Sequence, residues 1–373
     1  LNRIGAARTG RAGLVDRGMR ATCLPGALAS AKLCRFDRAA APSGSGLRRG
    51  RRAGHLEDSM QRYEANLPSV GLVSFMKSPV CEDFSKIDAD VAVLGIPYDA
   101  GIGFRPGTRF GPRDIRNYSV RYSGWGSWKS SGYWDINTGK RMLADTRIVD
   151  CGDVDIAYYD FERNSRLIRE SVGAILDRKA LPVLLGGDHS ITFPVVSAFE
   201  RFGPLDIVHI DAHLDWIDHV DGIRFANGSP FRRISELPFV RHMTHLGIRC
   251  LRSREGDCND AVKFGAQIFT RQAIRELGPK GVLDRMPAMD NVYVSVDIDG
   301  LCPSIAPGTG SPTVDGLLYH EVRALLQGVA AKGRVVGFDV VEVNPMLDLH
   351  GQTSLLTTTM IAEFLGAIFD QPR

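Results

Sequence analysis

From Asp90 onward the chain repeats one pattern: a short apolar run closed by Gly, Pro or Asp, then a longer stretch with apolar residues at helical spacing. "DVAVLGIPYD", "TRIVDCGDVD", "LPVLLGGDHS", "PLDIVHIDAHLD", "MTHLGIR", "AQIFT", "NVYVSVDID" and "GRVVGFDVVEV" read as strands. "RNSRLIRESVGAILDRKA", "ITFPVVSAFERFG", "RQAIRELG", "LYHEVRALLQGVAAKG" and "TSLLTTTMIAEFLGAIF" read as helices. Strands that are apolar almost throughout belong to a sheet buried on both faces. Strands that alternate with helices form a parallel sheet. The pattern therefore predicts one α/β domain over residues 60–373, with no internal repeat and no interior linker.

Charge separates this body from what precedes it. Residues 1–59 hold 12 Lys and Arg against 4 Asp and Glu, whereas the remaining 314 hold 34 against 39. The leader is rich in Arg, Ala and Gly and lacks apolar periodicity, so it is expected to be disordered. It reads as an upstream extension set apart from the fold; its Arg-rich, acid-poor composition also suits a mitochondrial transit peptide. The mildly acidic body gives no support to nucleic-acid binding. No apolar run approaches the roughly 20 residues that span a bilayer. Seven scattered cysteines without a CxxC pair predict reduced thiols rather than a disulfide scaffold or zinc ribbon. The expected location is the cytoplasm, or the mitochondrial matrix if the leader is a transit peptide.

In parallel sheets ligands collect at the carboxyl ends of the strands, and here those ends are unusual. "VLLGG" is followed by Asp188 and His189, "IVHI" by Asp211, His213 and Asp215, "VYVSV" by Asp297 and Asp299, and "VGFDVV" by Glu342. Residues at i, i+2 and i+4 of an extended chain share a face. "DAHLD" thus directs two carboxylates and an imidazole to one point, where unpaired charge is costly. His189, Asp211, His213, Asp215, Asp297 and Asp299 form a candidate ligand set of four carboxylates and two imidazoles. That mixture suits Mn²⁺ better than thiolate-seeking metals and leaves Ni²⁺, Zn²⁺ and Fe²⁺ open. Six ligands exceed one tetrahedral zinc and fit two metals sharing carboxylates. His209 and His245, inside apolar strands, read as core histidines.

"GGDHS", "DAHLD", "SVDIDG…APGTGSP" and "EVNP" together resemble the signatures of the ureohydrolase family, which includes arginases and agmatinases. "GIPYDAGIGFRPGTRFGPRDIR" and "GSPFRR" are similar to its agmatinase branch, and the likeness runs from Val91 to Leu365. It implies a three-layer α/β/α fold and a binuclear centre, most in keeping with Mn²⁺. His189, Asp211, Asp215 and Asp297 would hold one ion, and Asp211, His213, Asp297 and Asp299 the other. It also implies a reaction: attack by metal-activated water on a guanidinium carbon, releasing urea and an amine. Glu342 would hold the planar cation, Asp215 would relay the proton, and Asn227 and Ser311 would contact the substrate. A homo-oligomer is implied by the resemblance alone.

Two residues depart from the family pattern. Asn227 stands in "FANGSPF" where relatives carry a histidine, and an amide hydrogen-bonds but does not titrate. Cys302 in "DGLCP" stands where relatives commonly have Asp. Three functions stay open: an amidinohydrolase of agmatine, a guanidino acid or free guanidine; a catalytically weak structural or regulatory member, which these departures motivate; and a single-zinc amide hydrolase of deacetylase type, which the six-ligand set argues against. Arg105, Arg109, Arg113, Arg232 and Arg233 would either recognise a substrate carboxylate or serve in surface pairing. The aromatic cluster "YSGWGSWKSSGYW" would line a pocket or pack at a subunit contact.

Overall fold

In the computed structural model the described residues are 67–123 and 132–371. The leader and the middle of the aromatic cluster lie outside them. The strands and helices, in chain order, are β1 (Val91–Ile96), α1 (Gly111–Ser119), β2 (Tyr133–Asp135), β3 (Lys140–Met142), β4 (Ile148–Asp153), α2 (Phe161–Asp177), β5 (Leu181–Gly186), α3 (Thr192–Val196), β6 (Leu205–Ile210), α4 (Pro230–Ile234), β7 (Val240–Ile248), α5 (Glu255–Phe264), β8 (Gln267–Thr270), α6 (Arg271–Leu283), β9 (Asn291–Asp297), α7 (Tyr319–Lys332), β10 (Arg334–Val341) and α8 (Gln352–Phe369). Eight strands form one sheet in the order β4-β1-β5-β10-β9-β6-β7-β8, and every pairing in it is parallel. Short β2 and β3 make a separate antiparallel pair.

Two apolar clusters sandwich the sheet, because successive side chains of each strand point to opposite faces. Val91 and Val93 enter one cluster with Val183, Val208, Val294 and α8. Ala92, Leu94 and Ile96 enter the other with α2, Phe199 and Phe231. β1 and β6 are buried along their whole length, as the unbroken apolar runs require.

The strand order explains why the motifs converge. β5, β10, β9 and β6 are consecutive neighbours at the centre of the sheet, although their sequence separation is large. Val341 pairs with Asp297 and Ile210 with Val296. The residues just beyond these positions therefore emerge side by side at one edge.

Two helices differ from the sequence reading. The segment 192–203 is a five-residue α3 followed by a 3₁₀ stretch, Ser197–Phe202, in a run that holds Pro194 and β-branched residues of poor helix propensity. α6 extends beyond "RQAIRELG" but is broken at Gly278, with φ 65° and ψ 163°. Gly278 precedes Pro279, which disfavours the α conformation in the residue before it. α1, α4 and α5 were not anticipated, nor was the β2–β3 pair.

Candidate metal centre

Asp188 and His189 divide the work at the end of β5. The Asp188 carboxylate accepts from the backbone N–H of Ser190 at 2.9 Å and of Gly101 at 2.7 Å, capping the turn that follows. A Cβ on Gly187 would lie 1.8 Å from the Tyr98 carbonyl oxygen, so only glycine permits this approach. His189 is thereby fixed with its ring fully buried.

Both nitrogens of that ring are accounted for. Ser295 donates its hydroxyl proton to Asp339 at 2.6 Å, so its oxygen is free to accept from His189 Nε2, 3.0 Å away. In the neutral ring the proton therefore sits on Nε2 and Nδ1 is a bare lone pair. Nδ1 nevertheless faces Asp211 Oδ2 at 3.2 Å, Asp215 Oδ2 at 3.0 Å and Asp297 Oδ2 at 3.1 Å. Even a protonated Nδ1 has one hydrogen for three carboxylates. A multivalent cation satisfies all four atoms at once, so the residues present fit a metal ion.

A second group adjoins the first. His213 Nδ1 lies 3.2 Å from Asp211 Oδ1 and 3.1 Å from Asp299 Oδ2. Asp211 thus faces both groups through different oxygens, as a shared ligand must. Asp297 also accepts from the N–H of Asp299 at 2.8 Å. All six sequence-predicted ligands converge.

The electrostatics report missing positive charge. Burial, with Asp211 nearby, pushes Asp299 up to about 6. Burial beside Asp299 and Asp211 drives Asp297 well above the carboxylate range. Asp211 resists its own burial and stays well below that range, held by His209, His189 and His213. His209 is therefore more than a core histidine. Its Nε2 is 2.7 Å from Asp211 Oδ2 and its Nδ1 is 2.8 Å from His245 Nδ1, while its ring stacks on Phe231 at 3.8 Å. His189, His209 and Asp211 together have ligand geometry, but the short Nε2–Asp211 contact makes His209 the better donor to the carboxylate than ligand to an ion.

Above the cluster lies a cavity of about 440 Å³, whose lining includes His213, Asp215, Asp297, Asp299, Glu342, Asn227 and Ser311. Every predicted catalytic and substrate residue thus reaches it. Glu342 is buried, accepts from the His189 N–H at 3.0 Å through Oε1, and leaves Oε2 with no partner. Burial and the nearby Asp188 carboxylate push Glu342 well above its usual range. Glu342 and Asp215 adopt φ of 64° and 51°, a region that costs a non-glycine residue about 1–3 kcal/mol. Cys302 does not line the cavity; it receives the Ser304 hydroxyl at 3.1 Å.

The arginines singled out in the sequence are engaged elsewhere. Arg105 donates to the Gly310 carbonyl at 3.0 Å, Arg109 binds Asp99, and Arg233 binds Asp218. Arg232 lies 3.7 Å from Asp260, and Arg113 is exposed away from the cavity. Arg252 and Arg254, which do line it, were overlooked, because no local signal tells which loop folds over a distant strand end. Of the aromatic cluster, Tyr122 bonds Thr359 at 2.5 Å and Tyr133 and Trp134 lie in β2; none of its described residues lines this cavity.

The arginase family model matches residues 89–366. The chain is 37% identical over 298 residues to the proclavaminate amidinohydrolase of Streptomyces clavuligerus, covering 78% of this chain and 91% of that protein. The solved structure of that amidinohydrolase superposes with a TM-score of 0.72 at 34% identity, over 81% of this chain and 98% of that one. The mitochondrial agmatinase of Gallus gallus is 35% identical over 303 residues, covering 79% of this chain and 85% of the relative. The mitochondrial guanidino acid hydrolase of Homo sapiens is 33% identical over 309 residues, covering 80% and 83%.

Proposed function

The chain belongs to the arginase family, and from that premise we propose that it hydrolyses the amidino C–N bond of a small guanidino compound, releasing urea and an amine. The observation that carries this reading is the pairing of two unmet demands in one cavity. His189 Nδ1 and three carboxylate oxygens call for a cation, and the unpartnered Oε2 of Glu342 calls for a second, organic one.

His189, Asp211, Asp215 and Asp297 would hold one divalent ion, and Asp211, His213, Asp297 and Asp299 the other. Bound there, the pair supplies Lewis acidity that makes water a competent nucleophile near neutral pH. The remaining steps belong to the chain. Glu342 receives the guanidinium through Oε2 in a charge-assisted pair, its Oε1 being fixed by the His189 N–H. This would present the planar carbon to the carboxylates and imidazoles that would hold the ions. Asp215, the least buried of the carboxylates around His189, takes the proton of the attacking water and passes it to the departing nitrogen. Asn227 orients the substrate by hydrogen bonds without titrating, and Ser311, which also lines the cavity, does the same. Mn²⁺ is the ion favoured by this mixed oxygen and imidazole set.

The test is urea release by Mn²⁺-loaded protein from agmatine, arginine, guanidinobutyrate, guanidinopropionate, guanidinoacetate and guanidine. Urea from at least one is the expected result. No urea from any of them, with two ions bound per chain, would sink the reading and leave a non-catalytic family member.

A further inference from the structure

The cavity wall beyond the metal cluster carries a charge that the reaction itself does not use. Arg252 lines the cavity and is exposed. Its guanidinium makes no ion pair or hydrogen bond with the described residues. Its neighbour Arg254, at the N-terminus of α5, faces Asp257 and so has an opposing charge at hand. Arg252 is tied to the metal side of the cavity: its N–H donates to Cys250 Sγ at 3.3 Å, and the Cys250 thiol in turn bonds His213. The same cavity is lined by an apolar set, Ile102, Ile217, Val220, Ile223 and Phe225. A carboxylate with a free oxygen, an apolar set and an unpaired arginine lining one cavity describe a particular ligand chemistry.

Building on the amidinohydrolase reading, we propose that Arg252 is the specificity determinant of this site and that the substrate is a short ω-guanidino carboxylic acid. Its carboxylate pairs with Arg252, its methylenes lie against the isoleucines and its guanidinium reaches Glu342. Arginine presents two parallel N–H donors that match a carboxylate, which makes it a better reader of that group than a point charge. Asp221, which also lines the cavity, sits in the exposed turn closed by Val220 and Ile223, without the link to His213 through Cys250 that Arg252 has. A substrate with a distal amine would favour Asp221 instead.

Two measurements on the full-length, Mn²⁺-loaded chain decide the matter. In the first, kcat/KM is compared for 4-guanidinobutyrate and agmatine, which share a four-carbon chain and differ at the distal group. The wild type should prefer the acid. Arg252→Ala should lose about 10- to 100-fold on the acid, mostly in KM, and little on agmatine. Arg252→Lys should recover part of the loss, and Arg252→Glu should invert the preference. In the second, calorimetric titration with 4-aminobutyrate, a carboxylate that cannot turn over, should show binding to the wild type that Arg252→Ala abolishes. A wild-type preference for agmatine, or an alanine variant that treats the acid and binds 4-aminobutyrate like the wild type, overturns the assignment while leaving the amidinohydrolase reading intact. Absence of urea from every guanidino compound defeats that reading instead, and the titration still reports on Arg252.

Discussion

Two groups of carboxylates sit on the same parallel sheet and are neutralised in opposite ways. At its edge, Asp150 in β4 is buried and receives both arms of Arg116 from α1, at 2.8 and 2.9 Å, while Asp153 takes the third donor at 2.6 Å. The N–H groups of Phe75 and Gly152 complete the shell of Asp150. At its centre, Asp211, Asp215, Asp297 and Asp299 meet three imidazoles, those of His189, His209 and His213, and no arginine among the described residues. Arg249, which feels the charge of Asp299 and Asp211, spends its donors on the carbonyl oxygens of Gly247, Asp299, Gly300, Thr313 and Val314. A fold that supplies its own cation makes a structural ion pair. A fold that gathers carboxylates and withholds the cation makes a binding site.

The contrast should be broken most severely at Asp297, one of the two ligands proposed to be shared. Asp297→Ala should lower urea release on the order of 10³-fold or more, since several kcal/mol of charge stabilisation disappear with the ions. Calorimetry should show that fewer than two Mn²⁺ bind. Arg116→Met should do the reverse, costing about 3–5 kcal/mol of stability by stranding a buried carboxylate while leaving metal stoichiometry unchanged. Denaturant melts beside metal titrations separate the two.

The sign of a substitution should also differ between the clusters. Asp299 has a native value of about 6 in the metal-free protein, against about 3.9 for an unfolded chain. Between these values the native state binds more protons than the unfolded one, so its contribution lowers stability as pH rises from about 4 to 6, with the full penalty above. Asp299→Asn should therefore stabilise the metal-free protein at pH 8, on the order of 3 kcal/mol, and leave it little changed at pH 4. Thermal melts with chelator at both pH values check this. A destabilised variant at pH 8 would mean the cluster is not short of positive charge. The smallest effect should come from His209→Phe, which keeps the stack on Phe231 but loses the contact to Asp211. A loss of about 10-fold in Mn²⁺ affinity is expected, read by competition with a chelating dye, and His209→Gln should restore part of it.

The central site was legible because its ligands cluster in short motifs at strand ends. The apolar run before "DAHLD" announces a buried strand end, but strand periodicity does not place the three ligands: β6 stops at Ile210, residues 211–215 form an irregular loop, and Asp215 turns inward with φ 51°. Which strand ends become neighbours was not contained in that signal: β10 is inserted between β5 and β9 only in the folded sheet. The same limit explains the arginines. Arg105 lies 205 residues from its carbonyl partner, so no window of sequence distinguishes it from Arg252. α1 escaped notice because its "FGPRDIR" opening reads as a Gly-Pro turn, yet proline is well tolerated in the first turn of a helix.

The most direct test of the account is a count of ions. Protein stripped with chelator, dialysed and titrated with Mn²⁺ should bind two ions per chain, with both lost together in Asp211→Ala. A wild-type protein that binds none, or binds one with Asp211 dispensable, would contradict the claim that this sheet gathers its carboxylates around a pair of cations.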